Sequence, residues 1–154
     1  MFSRRDVCIG AAGFGVAVSA GSAVALPPPN PEYLSIPTPL RAAHQARYKD
    51  NCVLFLRRDM RARMPTSDLT YWDSKRSAIN VRGTPRRDDI AMISVARGSS
   101  AIYGHVALVY NVTSTSITIL EANFRAGQVT MRRATGRTTA AAAAVLNIAG
   151  YYRQ

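Results

Sequence analysis

From residue 90 onward, apolar positions gather in short runs separated by polar breaks. Residues 90–95, 104–110, 116–124 and 128–133 each read as a β-strand. The polar stretch 111–115 suits a hairpin loop between the second and third of these. Residues 138–146 contain a five-alanine run of high helix propensity, and 148–152 form a last strand. Upstream, residues 40–64 hold helix formers and lack Gly and Pro; they divide near Asp50-Asn51. Asp and Asn are good N-caps, so a helix restarts with Cys52 in its first turn. Val53, Leu54, Leu56 and Met60 give it an apolar stripe, Arg57, Arg58 and Arg61 face outward, and Pro65 ends it. Residues 66–87 are polar and irregular, with Tyr71-Trp72 as an apolar island and Trp72 expected to cap the core. A helix followed by consecutive antiparallel strands makes an α+β fold, the sheet packed on the helix.

The N-terminal pattern is of another kind. Arg4 and Arg5 precede an almost wholly apolar run of small residues from Val7 to Ala20, and Ala23-Val24-Ala25 offers a small-x-small cleavage site. Residues 1–25 therefore read as an export signal, too short in its apolar part for a membrane span of about 20 residues. The arginine pair in Ser3-Arg4-Arg5-Asp6-Val7 resembles a twin-arginine signal. Cys8 lies at the start of the apolar run rather than after it, which excludes a lipid-attachment cysteine. Residues 26–39, with six prolines, form an extended lead-in. Residues 40–154 form the folded domain.

The 154 residues suit one domain, and 47% hydrophobic with 19% charged positions marks a chain that buries a core. Its 20 Lys+Arg against 9 Asp+Glu give +11. Removal of residues 1–25 leaves 20 − 2 = 18 basic and 9 − 1 = 8 acidic groups, a net +10. That charge favours anionic envelope polymers. Nucleic acid is not expected, because no recognition motif accompanies the charge. No stable membrane span is expected after processing, and a monomer is anticipated. Processing also removes Cys8, leaving Cys52 alone and unable to form an internal disulfide in an oxidising compartment.

A lone thiol in a helix's first turn meets unpaired N–H groups that favour its anion. His105 lies on the strand 104–110 with Ala107 and Val109 on the same face. On the strand 116–124, Ile117, Ile119, Glu121 and Asn123 share a face. Pairing Val109 with Ile117 and Ala107 with Ile119 sets His105 opposite Glu121. A Cys52 thiolate would attack a carbonyl, His105 would protonate the departing amine, and Glu121 would hold the imidazole's other N–H. Asn123 would orient His105 or donate to the oxyanion. His44, the other histidine, falls in a polar helical stretch and is expected in solvent. No His/Cys/Asp cluster has metal-ligand spacing, and no cofactor is expected.

These residues resemble the CHAP family (cysteine, histidine-dependent amidohydrolase/peptidase) of the papain-like superfamily, from about Asp50 to Arg153. Asn51-Cys52 matches the family's nucleophile, Asp89-Ile90-Ala91-Met92-Ile93 its Gly-Asp-Ile/Val-Ala strand, and Gly104-His105-Val106-Ala107-Leu108-Val109 its histidine strand. Glu121-Ala122-Asn123 matches the closing acidic and amide positions, and Gly150-Tyr151 the usual ending. The resemblance implies a papain-like α+β fold, a helix bearing Cys52 packed on an antiparallel sheet bearing His105, Glu121 and Asn123. It also implies cleavage of peptidoglycan amide bonds, as an N-acetylmuramoyl-L-alanine amidase or an endopeptidase, in the periplasm or outside the cell. The rival readings are a thiol amidase for a small amide or protein, and a non-catalytic basic envelope-binding protein. Two departures stand out: Asp88 replaces the usual glycine before Asp89, and Tyr48-Lys49-Asp50 replaces a glycine-containing approach to Cys52.

Overall fold

The computed structural model describes residues 30–95 and 99–154. The expected export signal, residues 1–25, lies outside them. The fold is α+β, built on a six-stranded antiparallel sheet. Its strands are β1 (Glu32–Leu34), β2 (Ile90–Ile93), β3 (His105–Val112), β4 (Ser116–Ala122), β5 (Val129–Thr135) and β6 (Ile148–Tyr152), in spatial order β1-β5-β4-β3-β2-β6. The helices are short: α1 (Arg41–His44), α2 (Cys52–Leu54), α3 (Trp72–Ser77) and α4 (Thr139–Val145).

The sheet is buried on both faces. On one, Phe55 and Leu56 pack with Ile90, Met92, Val106, Leu108 and Leu120. On the other, Ala142 and Leu146 pack with Ile93, Val109, Ile117 and Ile119. Two-sided burial explains why β2, β3 and β4 read as nearly continuous apolar runs instead of alternating ones. The sheet is therefore covered by helix on both sides, not by the Cys52 helix alone.

Four local expectations are corrected. The helix from Cys52 is one α-turn that widens into a π-turn at Phe55–Asp59; Arg61, at φ +52, then leaves the helix before Pro65 is reached. Arg57 is half-buried there, donating to the Pro65 and Ser67 carbonyls at 2.6 Å each, because orphan carbonyls of the following loop need a donor. Within the irregular 66–87 stretch, Trp72–Ser77 forms α3. The proline-rich lead-in contributes a packed strand: β1 pairs with β5, and Glu32 meets Arg133 at 2.5 Å. Proline lacks an N–H to donate, and β1 occupies the sheet edge while the prolines flank it.

The β3–β4 register also differs from expectation. Val109 faces Ile119 and Leu108 faces Leu120, and an irregularity between Val109 and Asn111 shifts the ladder by one residue. β3 continues to Val112, so the hairpin loop is tighter than its polar residues suggested. A two-residue displacement keeps every side chain on its expected face. Continued along both strands, the ladder sets Ala107 level with Glu121 and makes His105 its diagonal neighbour.

The turns that enter β2 and β3 both have left-handed backbones. Gly104 (φ +59) leads into β3, and a Cβ there would lie 2.6 Å from the Trp72 ring. Asp88 (φ +70), which replaces a glycine in the resemblance above, leads into β2. Asp tolerates this region at some cost, whereas alanine at Gly104 meets both strain and a clash. Gly104→Ala should destabilise the protein by about 2 kcal/mol or more, and Asp88→Gly should stabilise it by up to about 1 kcal/mol. Urea denaturation of both variants checks the opposite signs.

Candidate active site

Cys52 is the first residue of α2, a position set by Asn51. The Asn51 side-chain oxygen accepts from the N–H groups of Val53 (3.1 Å) and Leu54 (3.0 Å), the bonding of an N-cap. The buried Phe55 and Leu56 anchor the next turn against the sheet, and α2 packs on β3. Cys52 is a free, partly buried thiol. His105 opens β3 immediately after the Gly104 turn, where Trp72 presses on the backbone.

Behind His105 lies a buried polar chain. His105 Nε2 is 3.1 Å from Glu121 Oε2, and Glu121 is fully buried. Arg132 Nη2 donates to the same oxygen at 2.9 Å, while Arg132 Nε and the Thr130 hydroxyl donate to Oε1. The Arg132 guanidinium lies 3.5 Å over the Phe124 ring, whose edge meets the His105 ring at a centroid distance of 5.4 Å. Sequence reasoning missed Arg132, treating residues 128–133 simply as a strand. A signal was present: Arg132 shares a strand face with Thr130 and Ala134, and it pairs across to Ile119. An arginine in an inward row calls for a buried acid.

The charges in this chain support one another. Burial alone raises the Cys52 thiol pKa. Hydrogen bonding and charge from His105, the Val106 N–H and the charge of Lys75 outweigh it, so the net shift is downward. Burial likewise opposes the His105 imidazolium, yet bonding to Cys52 and Glu121 raises its pKa to about 9. Glu121 follows the same rule. Burial works against its charge, but His105 and Arg132 keep it ionised below the usual carboxylate range.

Cys52, His105 and Asn123 line one groove of about 650 Å³, larger than the clefts of about 330 and 480 Å³ elsewhere. Lys75, Tyr103 and Phe124 complete its walls. Asn123 sits just past β4 at φ +64, and its side-chain oxygen accepts from Gly127 N–H at 3.1 Å. The His105 nitrogen is taken by Glu121, so Asn123 reaches the groove without holding the imidazole. His44 lies in solvent, near the Pro37 carbonyl. Trp72 packs on the core rather than lining the groove. Among the described residues, no group of three or more His, Cys, Asp or Glu could hold a metal. Thiolate, imidazolium and carboxylate in sequence can form and resolve an acyl-thioester.

A protein-family model described as the CHAP domain matches residues 42–123, more than half of the chain. Cys52, His105, Glu121 and Asn123 fall within the matched span, whereas Arg132 lies beyond it. No curated protein and no solved structure matches the chain.

The His105 ring should titrate with a midpoint near 9, followed by NMR of its imidazole protons. A folded pKa raised above the unfolded value of about 6.5 adds stability that is fully present below 6.5 and lost as pH rises through 9. The lowered Cys52 thiol acts oppositely, losing its contribution as pH falls through its folded pKa. A ring midpoint at or below 6.5 would refute the electrostatic account.

Proposed function

Because the chain belongs to the CHAP domain family, we propose that it is an exported cysteine amidohydrolase that cleaves amide bonds of peptidoglycan. The observation that carries this reading is a free thiol at the head of α2 sharing one groove with an imidazole backed by a buried carboxylate.

In the proposed mechanism, the Cys52 thiolate attacks the amide carbonyl carbon and its C=O electrons move onto oxygen. The Cys52 N–H, left outside the Asn51 cap, and the Asn123 amide group donate to that oxyanion. As the carbonyl re-forms, the C–N bond breaks and the His105 imidazolium gives its proton to the departing amine. A water then enters, neutral His105 removes its proton, and the resulting oxygen attacks the thioester. Collapse releases a carboxylic acid, which loses its proton to solvent, and restores the thiolate–imidazolium pair. Glu121 fixes the imidazole orientation and favours its charged form throughout.

Other features fit an extended, envelope-bound substrate. The groove is open, and Tyr103 and Phe124 stand exposed on its walls. The chain's basic charge favours an acidic polymer. The pattern of residues 1–25 supports export to the periplasm or outside the cell. Whether it acts as an amidase or as an endopeptidase is decided by the new amine: a stem-peptide N-terminus marks the first, and an amine within the peptide or cross-bridge marks the second.

Cys52→Ala and His105→Ala should each reduce the release of amino groups from purified sacculi by at least about a thousandfold, with circular dichroism unchanged. Mass spectrometry of the wild-type products identifies the bond. Wild-type rates in either variant would exclude this mechanism.

A further inference from the structure

Lys75 lies on α3, where a lysine would ordinarily extend into water, yet it is only 1% exposed. Its Nζ donates to three backbone carbonyls: Leu69 at 2.5 Å, Thr70 at 3.0 Å and Tyr103 at 2.7 Å. A neutral amine has two N–H groups and cannot serve three acceptors; an ammonium has three. The bonding therefore specifies the charged form. Among the described residues, no carboxylate forms an ion pair with it. The same ammonium lines the groove that holds Cys52 and His105.

We infer that Lys75 is a positioning residue of the Cys52 site, a locked ammonium whose field adds to that of His105 in keeping the nucleophile a thiolate. Its three protons are engaged by carbonyls, so none remains to bond substrate, and it acts through the thiol. It also fastens two walls of the groove together, the 69–70 loop and the turn before Gly104, where Tyr103 stacks on Tyr71 at 5.8 Å. This inference rests on Cys52 being the nucleophile.

Other charged groups around the thiol act beside Lys75. His105 approaches from β3 and makes the largest contribution to lowering the Cys52 pKa, and Lys75 adds its charge from the other wall. Arg57 is turned to the Pro65 and Ser67 carbonyls, and Asp68 is held by the Thr70 N–H and hydroxyl. Asp50 stands at the groove margin before Asn51, and Tyr103 lines it beside Lys75. Burial lowers the Lys75 pKa, and the charges of Cys52 and Asp68 act to raise it.

The test measures Cys52 alkylation by iodoacetamide against pH in the full chain. Wild type should react at acidic pH. Lys75→Met should shift the profile upward by about one unit, slowing alkylation at pH 6 by about tenfold. Lys75→Arg, which keeps the charge, should retain most of the acid reactivity. An unchanged profile in folded Lys75→Met, or equal losses in both variants, would reduce Lys75 to a structural staple and overturn the inference. A second measurement needs no variant. NMR titration of the Lys75 side chain before and after carbamidomethylation of Cys52 should show its pKa fall once the thiolate is capped. No change on capping also overturns it. An ordinary wild-type thiol, reacting only near pH 8.5, refutes the nucleophile reading before Lys75 is touched.

Discussion

The active-site half of this molecule depends on one buried ion pair, Glu121 with Arg132. An isolated carboxylate in that position would protonate, because burial disfavours its charge. Arg132 reaches both oxygens with a planar, permanently charged group. Glu121 then stays ionised and can hold His105 as a cation, which in turn lowers the Cys52 pKa. The sign of each link is set by the one behind it. Such a pair is expensive to desolvate and is weak evidence for stability. Its placement between β4 and β5 serves the charge state of β3's first residue instead.

The scaffold reconciles that polar chain with an apolar interior by setting His105 and Glu121 near strand ends and pairing the mid-strand Arg132 with Glu121. β2, β3 and β4 carry apolar residues on both faces, and their helical covers are short. α2 and the π-turn contribute little more than Phe55 and Leu56 to the core, enough to fix where Cys52 begins. Rigidity at the thiol comes from this anchoring and from the Asn51 cap, more than from helix length. Polar staples do the rest: Arg57 and Lys75 each satisfy carbonyls of loops that would otherwise be unsupported.

Much of this was legible in the amino-acid order. Strand runs at 90–95, 104–110 and 116–124, the N-cap at Asn51, and the shared face of His105 and Glu121 all follow from local chemistry and a two-residue period. The bulge past Val109 was not legible, since the polar Asn111 reads as loop although it pairs with Thr118 in the ladder. His105 and Glu121 still meet because the displacement was even. Two buried cations escaped notice for a common reason. Arg132 and Lys75 resemble solvated charges until their acceptors are known, and those acceptors lie 11 and up to 28 residues away. The lead-in misled in another way: its prolines suggested an unpacked spacer, yet three residues between them suffice for an edge strand.

That edge strand imposes an order of events on the chain. Glu32 and Arg133 are 101 residues apart, so β1 leaves the ribosome long before its partner exists. β5 keeps a bare edge, open to foreign strands, until the earliest segment returns to cover it. The segment directly after the expected export signal thus acts as a clasp, closing the sheet after its other strands are available. A leader attached to that segment would have to leave room for the clasp to shut.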